Sequence, residues 1–534
     1  MYLKLNTILC TSVLSSLSMG LISCHTDENS TPKKTALVTD TSKYLELGSV
    51  SVPGWTPDQI KDFDFRRPPK SDEKALKELL KDVYAKIDSG ENPDYDGAIE
   101  KEISCYFIEP DPQDPPGGRT SKFKCNFSYM DDGEVKYEDF KVKYDPVAVY
   151  ESNMNRNDAT GDKLKAMYQE QMPELALRSN AEVYGEVLAT RLLSGLGFHA
   201  DRIYPFVKLK CYGCPIEPWS YTRIKTGTYD FRDDQIRLSN RALGELERLP
   251  EDEYLLIENG IIEEKTEGVK IEVQSPNSIE SLGGFHWTEL MNANVSPEER
   301  LDREALSGLI AFINHMDNKP DQQRIVCAWN SKKAKKKIKA KADKGTLQAE
   351  DCDYIKLMVQ DAGSNYGNGF APIANIGGSL GDAWATILEI MTNDPSAFGD
   401  YLFPAPNNNN DLKNPRTFWR FNKLDREAWQ QLNTWRSPDS CILGINTLSL
   451  GGVIPDTFDQ VKISGQGYQR FAERLNAMTE DQLKAYFNAS RVQTAPRGIY
   501  SYPEFWTESF KIKRERDFGN SLYCTRANKK SSLD

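Results

Sequence analysis

The chain has 534 residues, with 67 Lys plus Arg against 79 Asp plus Glu and a formal charge of −12. That acid excess argues against a general role on nucleic acid, which selects basic surfaces. The length suits one large bilobal unit or two to three domains. Only four histidines are present, His25, His199, His286 and His315, with no His-Glu-x-x-His and no paired Cys-x-x-Cys sets, which argues against a His-based zinc site.

Residues 1–23 read as a lipoprotein signal peptide. Lys4 precedes an apolar, Ser-rich stretch from Ile8 to Ile22, and Leu21-Ile22-Ser23-Cys24 is a lipobox. Cys24 is the expected lipidated N-terminus, which makes the membrane a partner and places the chain in a bacterial cell envelope, periplasmic or surface-exposed. Losing the signal removes one positive charge, Lys4, and no negative one, so −12 becomes −13. Residues 24–70 read as tether and linker, because His25 to about Ser51 is polar and without period. No later run reaches the roughly 20 apolar residues of a spanning helix.

A helical lead-in is expected over 71–99, with its helix from Ser71 to Ile87, followed by a mainly β lobe over 100–230. Ile103–Ile108 and Ser121–Phe127 alternate as a hairpin. Gly117 and Gly118, in its connection, would let backbone amides approach a nucleotide. Phe140–Tyr144 alternates as a strand that puts Lys141 and Lys143 on one face. Asn180 to Leu196 has helical period, carries Glu182 and Glu186 one turn apart, and meets Gly197 as a C-cap. Lys143 with Glu186, and Glu182 in reserve, is the expected phosphate-positioning pair.

Residues 235–515 are expected to be mostly helical, followed by a tail over 516–534. A helix over 301–316, opened by Ser296-Pro297-Glu298-Glu299, leads to Asp317-Asn318-Lys319-Pro320-Asp321-Gln322. Leu357–Gln360 reads as a strand before Asp361-Ala362-Gly363. The two motifs look like halves of a phosphoryl-transfer site. Asp317 would accept or orient the hydroxyl, Lys319 would contact phosphate, and Gln322 and Asp361 would hold the metal of ATP with Mg or Mn. Between them, a Lys-rich insertion over 328–351 (Lys332, Lys333, Lys335, Lys336, Lys337, Lys339, Lys341, Lys344) reads as a solvated hairpin or helix that could also meet anionic substrate or lipid. Gly377-Gly378-Ser379-Leu380-Gly381 matches a hydrolase nucleophile elbow, but every His precedes Ser379, which defeats that reading. Trp419, Trp429, Trp435, Phe471 and Trp506 are expected in the core.

Eight cysteines remain in the mature chain, an even number that favours disulfides outside the cytoplasm. The expected pairs are Cys105 with Cys125, Cys211 with Cys214, Cys327 with Cys352 at the base of the Lys-rich insertion, and Cys441 with Cys524. Cys211 and Cys214 lack the strand-then-helix surroundings of a redox motif.

Several blocks together resemble an uncharacterised family of bacterial exported proteins. They are Lys122-Phe123-Lys124-Cys125, Val142-Lys143-Tyr144, Glu186 to Leu193 with Leu196 to Asp201, and Cys211-Tyr212-Gly213-Cys214-Pro215. The later ones are Trp287-Thr288-Glu289-Leu290, His315 to Lys319 with Gln323 to Cys327, Val359 to Gly367, and a final helix from Tyr468 to Val492. The similarity covers roughly residues 100–515, and the family in turn resembles the protein-kinase-like superfamily. It implies an α+β, bilobal protein-kinase-like fold with a mainly β N-lobe and a mainly helical C-lobe. The expected function is a metal- and nucleotide-dependent envelope phosphotransferase of atypical kinase type, with adenylyl transfer as a close variant. The expected acceptor, a protein or another envelope component, is not identified by these blocks. This chain departs from the family at Gln322, where Asn is usual, and at Asp145, where Gly follows the Lys strand. The alternative is a pseudokinase-like binding or scaffold lipoprotein.

Overall fold

The computed structural model describes residues 35–113, 120–171, 180–228, 248–264, 266–274, 281–282, 284–315, 322–363, 365–366, 424, 426–445, 458, 461–495, 502–519 and 524. In chain order the elements used below are β1 (Thr35–Val38), α1 (Ser42–Leu47), α2 (Pro57–Lys61), α3 (Lys74–Ser89), β2 (Ile103–Phe107), β3 (Lys122–Asp131), β4 (Glu134–Lys143), α4 (Pro146–Met154), α5 (Ala159–Gln171), α6 (Glu182–Gly195), β5 (Arg202–Pro205), β6 (Lys208–Tyr212), α7 (Pro218–Lys225), β7 (Tyr254–Glu258), β8 (Ile261–Glu264), β9 (Val269–Gln274), β10 (Ser281–Leu282), α8 (Trp287–Asn292), α9 (Pro297–Phe312), β11 (Gln323–Ala328), α10 (Lys332–Asp343) and β12 (Tyr354–Val359). After these come α11 (Arg426–Gln431), three short strands from Trp435 to Lys462, α12 (Gly465–Asn476), α13 (Glu480–Ala489) and α14 (Pro503–Phe518). The chain is α+β. Among the described residues no helix is long and apolar enough to cross a membrane.

Seven strands form one sheet in the order β5-β8-β4-β3-β2-β6-β7. Its centre is a hairpin that the sequence writes plainly. Asp132-Gly133 takes positive φ at both positions, 52° and 83°, as a two-residue turn matched to strand twist requires. This turn sets β3 against β4 so that Lys122 stands opposite Lys143. β2 pairs antiparallel with β3 and parallel with β6. The expected lobe over 100–230 stops too soon, because β7 and β8 complete this sheet. A strand edge is finished by whichever segment pairs with it, however far along the chain.

The second sheet, β1-β9-β11-β12 with β10 beside β9, lies in what was expected to be a mostly helical region. It draws in β1, which pairs parallel with β9 and belongs to the stretch read as tether. α1 and α2 also lie in that stretch. Tyr44, Leu45, Val50, Ile60 and Phe65 are buried there, too widely spaced to show a period yet each seated in the core. The fully buried Arg303 fixes this segment by donating from Nη2 to the carbonyls of Leu45 and Gly48.

Other expectations fare differently. α3 matches the lead-in helix, α9 begins on a Ser296 cap that accepts from Glu299 N at 3.2 Å, and α10 fills the Lys-rich insertion between two antiparallel strands. The helix expected from Tyr468 to Val492 is two helices. Thr479 caps α13 through Gln482, whose side chain bonds back to Thr479 N at 2.9 Å, a Thr-x-x-Gln box legible in the sequence. All four cysteine pairs are bonded as expected, with Cα–Cα separations of 5.0 to 5.7 Å.

Candidate active site

Lys143, the last residue of β4, is fully buried and surrounded by carboxylates from three other parts of the chain. Its Nζ donates to Glu186 Oε1 of α6, to Asp361 Oδ1 at 2.7 Å, and lies 3.3 Å from Glu263 Oε2 of β8. Glu263 also takes Lys141 at 2.6 Å, so the two lysines on one face of β4 share it. Burial alone would strip the proton from Lys143, but Asp361, Glu186 and Glu263 outweigh it and hold the ammonium well above its usual range. Burial likewise works to raise Asp361, and Lys143, Lys141 and Lys122 outweigh it, so that carboxylate titrates well below the usual range. Glu186 goes the other way: burial pushes its carboxyl well up, beyond the pull of Lys143.

The turn after β12 holds Asp361 at φ 50°, a left-handed conformation that Asp tolerates better than most residues. Asp361 N donates to Asp201 Oδ2 at 3.4 Å, and Gln322 Nε2 donates to Asp361 Oδ2 at 3.2 Å. Gly363 explains how the turn reaches α6. A Cβ there would stand 2.0 Å from Glu182 Cγ and 3.0 Å from Glu186 Cγ, and one on Gly185 would stand 2.5 Å from the Gly363 carbonyl. Two glycines therefore let a turn press on a helix, and Asn365 Nδ2 fastens the contact through Gly185 O at 3.1 Å.

Carboxylate oxygens of Glu182, Glu186 and Asp361 come within 4.8 Å of one another. Glu186 Oε2 is buried without a hydrogen-bond partner among the described residues, and the Asp361 side chain is 26% exposed, so the cluster opens on the Asp361 side. Three hard oxygen donors in this arrangement fit Mg²⁺ or Mn²⁺.

Lys143, Glu186, Gln322 and Asp361 are thus brought together, and Glu182 joins them. Asp317, Lys319, Gly117, Gly118, Cys24 and Ser379 lie outside the described residues. The described residues on either side of the stretch holding Asp317 and Lys319 are tied to the segment around Asp361. Ile313 O, just before it, accepts from Tyr366 N at 2.8 Å, and Gln322 O, just after it, accepts from Gln360 N at 2.9 Å. Comparison with protein-family models, with curated proteins and with solved structures gave no significant match.

Sequence reasoning did not single out Glu263, Asp201 or Lys122. Lys122, opposite Lys143, is pushed down to about 8 by burial and by Lys141 and Lys143, and its Nζ lies 5.4 Å from the centre of the Trp219 ring. Glu263 had one available signal: Ile261-Ile262-Glu263-Glu264 is a short strand with acids where apolar residues would be expected, and all four residues are buried. Asp145 caps α4 by accepting from Val147 N at 3.0 Å.

Proposed function

We propose that this protein is a lipid-anchored envelope phosphotransferase of atypical kinase type, built as a bilobal protein-kinase-like fold. The seven-stranded sheet is the N-lobe, and the region from β9 onward is the C-lobe. The observation that carries the reading is the buried ammonium of Lys143 held between Glu186 of a helix and Asp361 of a post-strand turn, partners 43 and 218 residues away. A strand Lys oriented by a helix Glu beside a metal-holding Asp is what positioning a nucleotide triphosphate requires.

In this reading Lys143 contacts the nucleotide phosphates and Glu186 fixes its direction. Asp361 and Gln322 face the metal, with Glu182 beside them. The metal, when bound, neutralises charge between the phosphates. Asp317 orients the acceptor hydroxyl and Lys319 contacts the transferred phosphoryl group. The lipobox supports anchoring through Cys24 in the envelope, with a protein or envelope component as acceptor. Adenylyl transfer from the same residues is a close variant.

A second reading, a pseudokinase-like scaffold, is favoured by one contact. Gln322 occupies Asp361 Oδ2 while Lys143 occupies Oδ1, so both oxygens of the metal-facing carboxylate are already engaged. Calorimetry decides between the two on a chain starting at His25, because one starting near Ser51 would lose β1 and α1 from the core. Saturable ATP binding that needs Mg²⁺ or Mn²⁺ and vanishes in Asp361→Asn is the expected outcome. Absence of binding with either metal overturns the enzyme reading in favour of the scaffold.

A further inference from the structure

A cavity of about 170 Å³ lies where the end of α6, the start of β5 and the middle of β12 meet, and its polar lining comes from Ser194, His199, Asp201, Arg202, Thr266 and Lys356. Lys356 points to the face of β12 that also carries Tyr354 and Met358, while Ile355 and Leu357 pack into the core. Among the described residues its ammonium has no carboxylate and no hydrogen-bond acceptor, and it sits 5.4 Å from the centre of the Tyr354 ring. The His199 imidazole lines the same cavity, and Thr266 Oγ1 is buried with no hydrogen-bond partner among the described residues. Two cation-forming groups and an unused hydroxyl therefore share one small space.

We infer that this cavity binds a small tetrahedral oxyanion, with inorganic phosphate or sulfate as its simplest ligand. Lys356 supplies the charge, and the Thr266 and Ser194 hydroxyls and a ring N–H of His199 donate to the anion. Neutral water would fill the volume but leave the Lys356 ammonium uncompensated, whereas an anion stabilises it and favours the charged form of the His199 ring. The electrostatics agree with this geometry. Burial and then Lys356 push His199 down to about 4, and burial and then Arg202 push Lys356 below its usual range. The other charged groups facing the cavity do not neutralise these two. Arg202 is held by Asp72 and Glu264, Asp201 lies 3.6 Å from Arg324, and Asp72 and Glu267 act on Lys356 less than burial and Arg202 do.

The site bridges both sheets, Arg202 belonging to one and Lys356 to the other. It also adjoins the candidate active site, since Asp201 accepts from Asp361 N and Ala200 pairs with Val359. The inference is independent of the phosphotransferase reading, because phosphate binding here needs neither nucleotide nor metal.

The test follows the His199 ring by NMR in the chain from His25 onward, titrating inorganic phosphate against chloride at equal ionic strength, with calorimetry alongside. Phosphate should raise the His199 midpoint by about one pH unit. Lys356→Met should weaken phosphate binding about tenfold, and Thr266→Val severalfold, with near-UV circular dichroism unchanged. His199→Gln, which leaves Lys356 in place, provides a second variant and should also weaken binding. A His199 midpoint indifferent to phosphate overturns the proposal. Phosphate binding that survives Lys356→Met and His199→Gln overturns it too, since the anion then lies elsewhere.

Discussion

Two buried regions meet at the segment from Asp361 to Tyr366 and are built on opposite principles. At one end, Asp361 belongs to a knot of charges from β4, α6 and β8. At the other, Tyr366 packs 4.8 Å from Trp429 and 6.0 Å from Trp506, and its hydroxyl lies 2.5 Å from that of Tyr486. Phe312 extends the second region, with ring centres 5.5 Å from Trp429 and 5.1 Å from Phe510. Rings brought together release water and gain dispersion, so the aromatic region stabilises the fold outright. The charge knot does not. Removing several ions from water costs as much as their attraction returns, so its worth lies in holding specific groups in place. One region supports the site and the other is the site.

The largest expected effect breaks the aromatic side. Phe312→Ala should cost about 4 kcal/mol in denaturant unfolding while leaving nucleotide affinity of the folded fraction unchanged. A fall in that affinity would mean the two regions are not separable. Lys143→Met should cost about 3 kcal/mol, because it leaves buried carboxylates uncompensated, and unlike Phe312→Ala it should abolish metal-dependent ATP binding in calorimetry. Retained binding would separate the charge knot from the proposed chemistry.

The acid limb of stability sharpens the contrast. Burial opposes ionisation of Glu263, but Lys141 and Lys143 outweigh it and hold the carboxyl at about 2, below its unfolded value near 4.5. Its contribution is therefore complete above pH about 4.5 and is lost as pH falls towards about 2. Melting temperatures across that window should fall less steeply in Glu263→Gln than in the parent, and an identical slope would remove Glu263 from the account. The smallest effect is on the aromatic side: Tyr486→Phe deletes one half of a hydroxyl pair and should cost about 1 kcal/mol, without any change in the pH profile.

Parts of both regions were legible in the sequence. The Asp-x-Gly turn after an apolar strand, the alternating strand ending at Lys143 and the helix carrying Glu186 were each readable from local pattern, and these three contribute the central contacts. The aromatic tail was also recognisable as core, with Trp429 and Trp506 fully buried. Glu263 and Asp201 were not recognisable, because a buried acid is indistinguishable from an exposed one until its counter-charges are in place. The stretch from Thr35 to Ser51 was misread for a related reason. Its apolar residues are few, and they bury themselves against β9, α9 and β12 rather than against each other.

Sequence by itself determined the local devices: the Asp132-Gly133 turn, the Ser296 and Thr479 caps, the even number of cysteines and the order of the two Asp motifs. These depend on residues within a few positions of one another or on chemistry that composition reveals. Only the tertiary structure decided that the first sheet closes with β7 and β8, that β1 enters the second sheet, and that Lys143 has three carboxylates around it. Strand edges and buried charges are satisfied by whatever the fold brings close, and that closeness is a property of the packed chain, not of any segment within it.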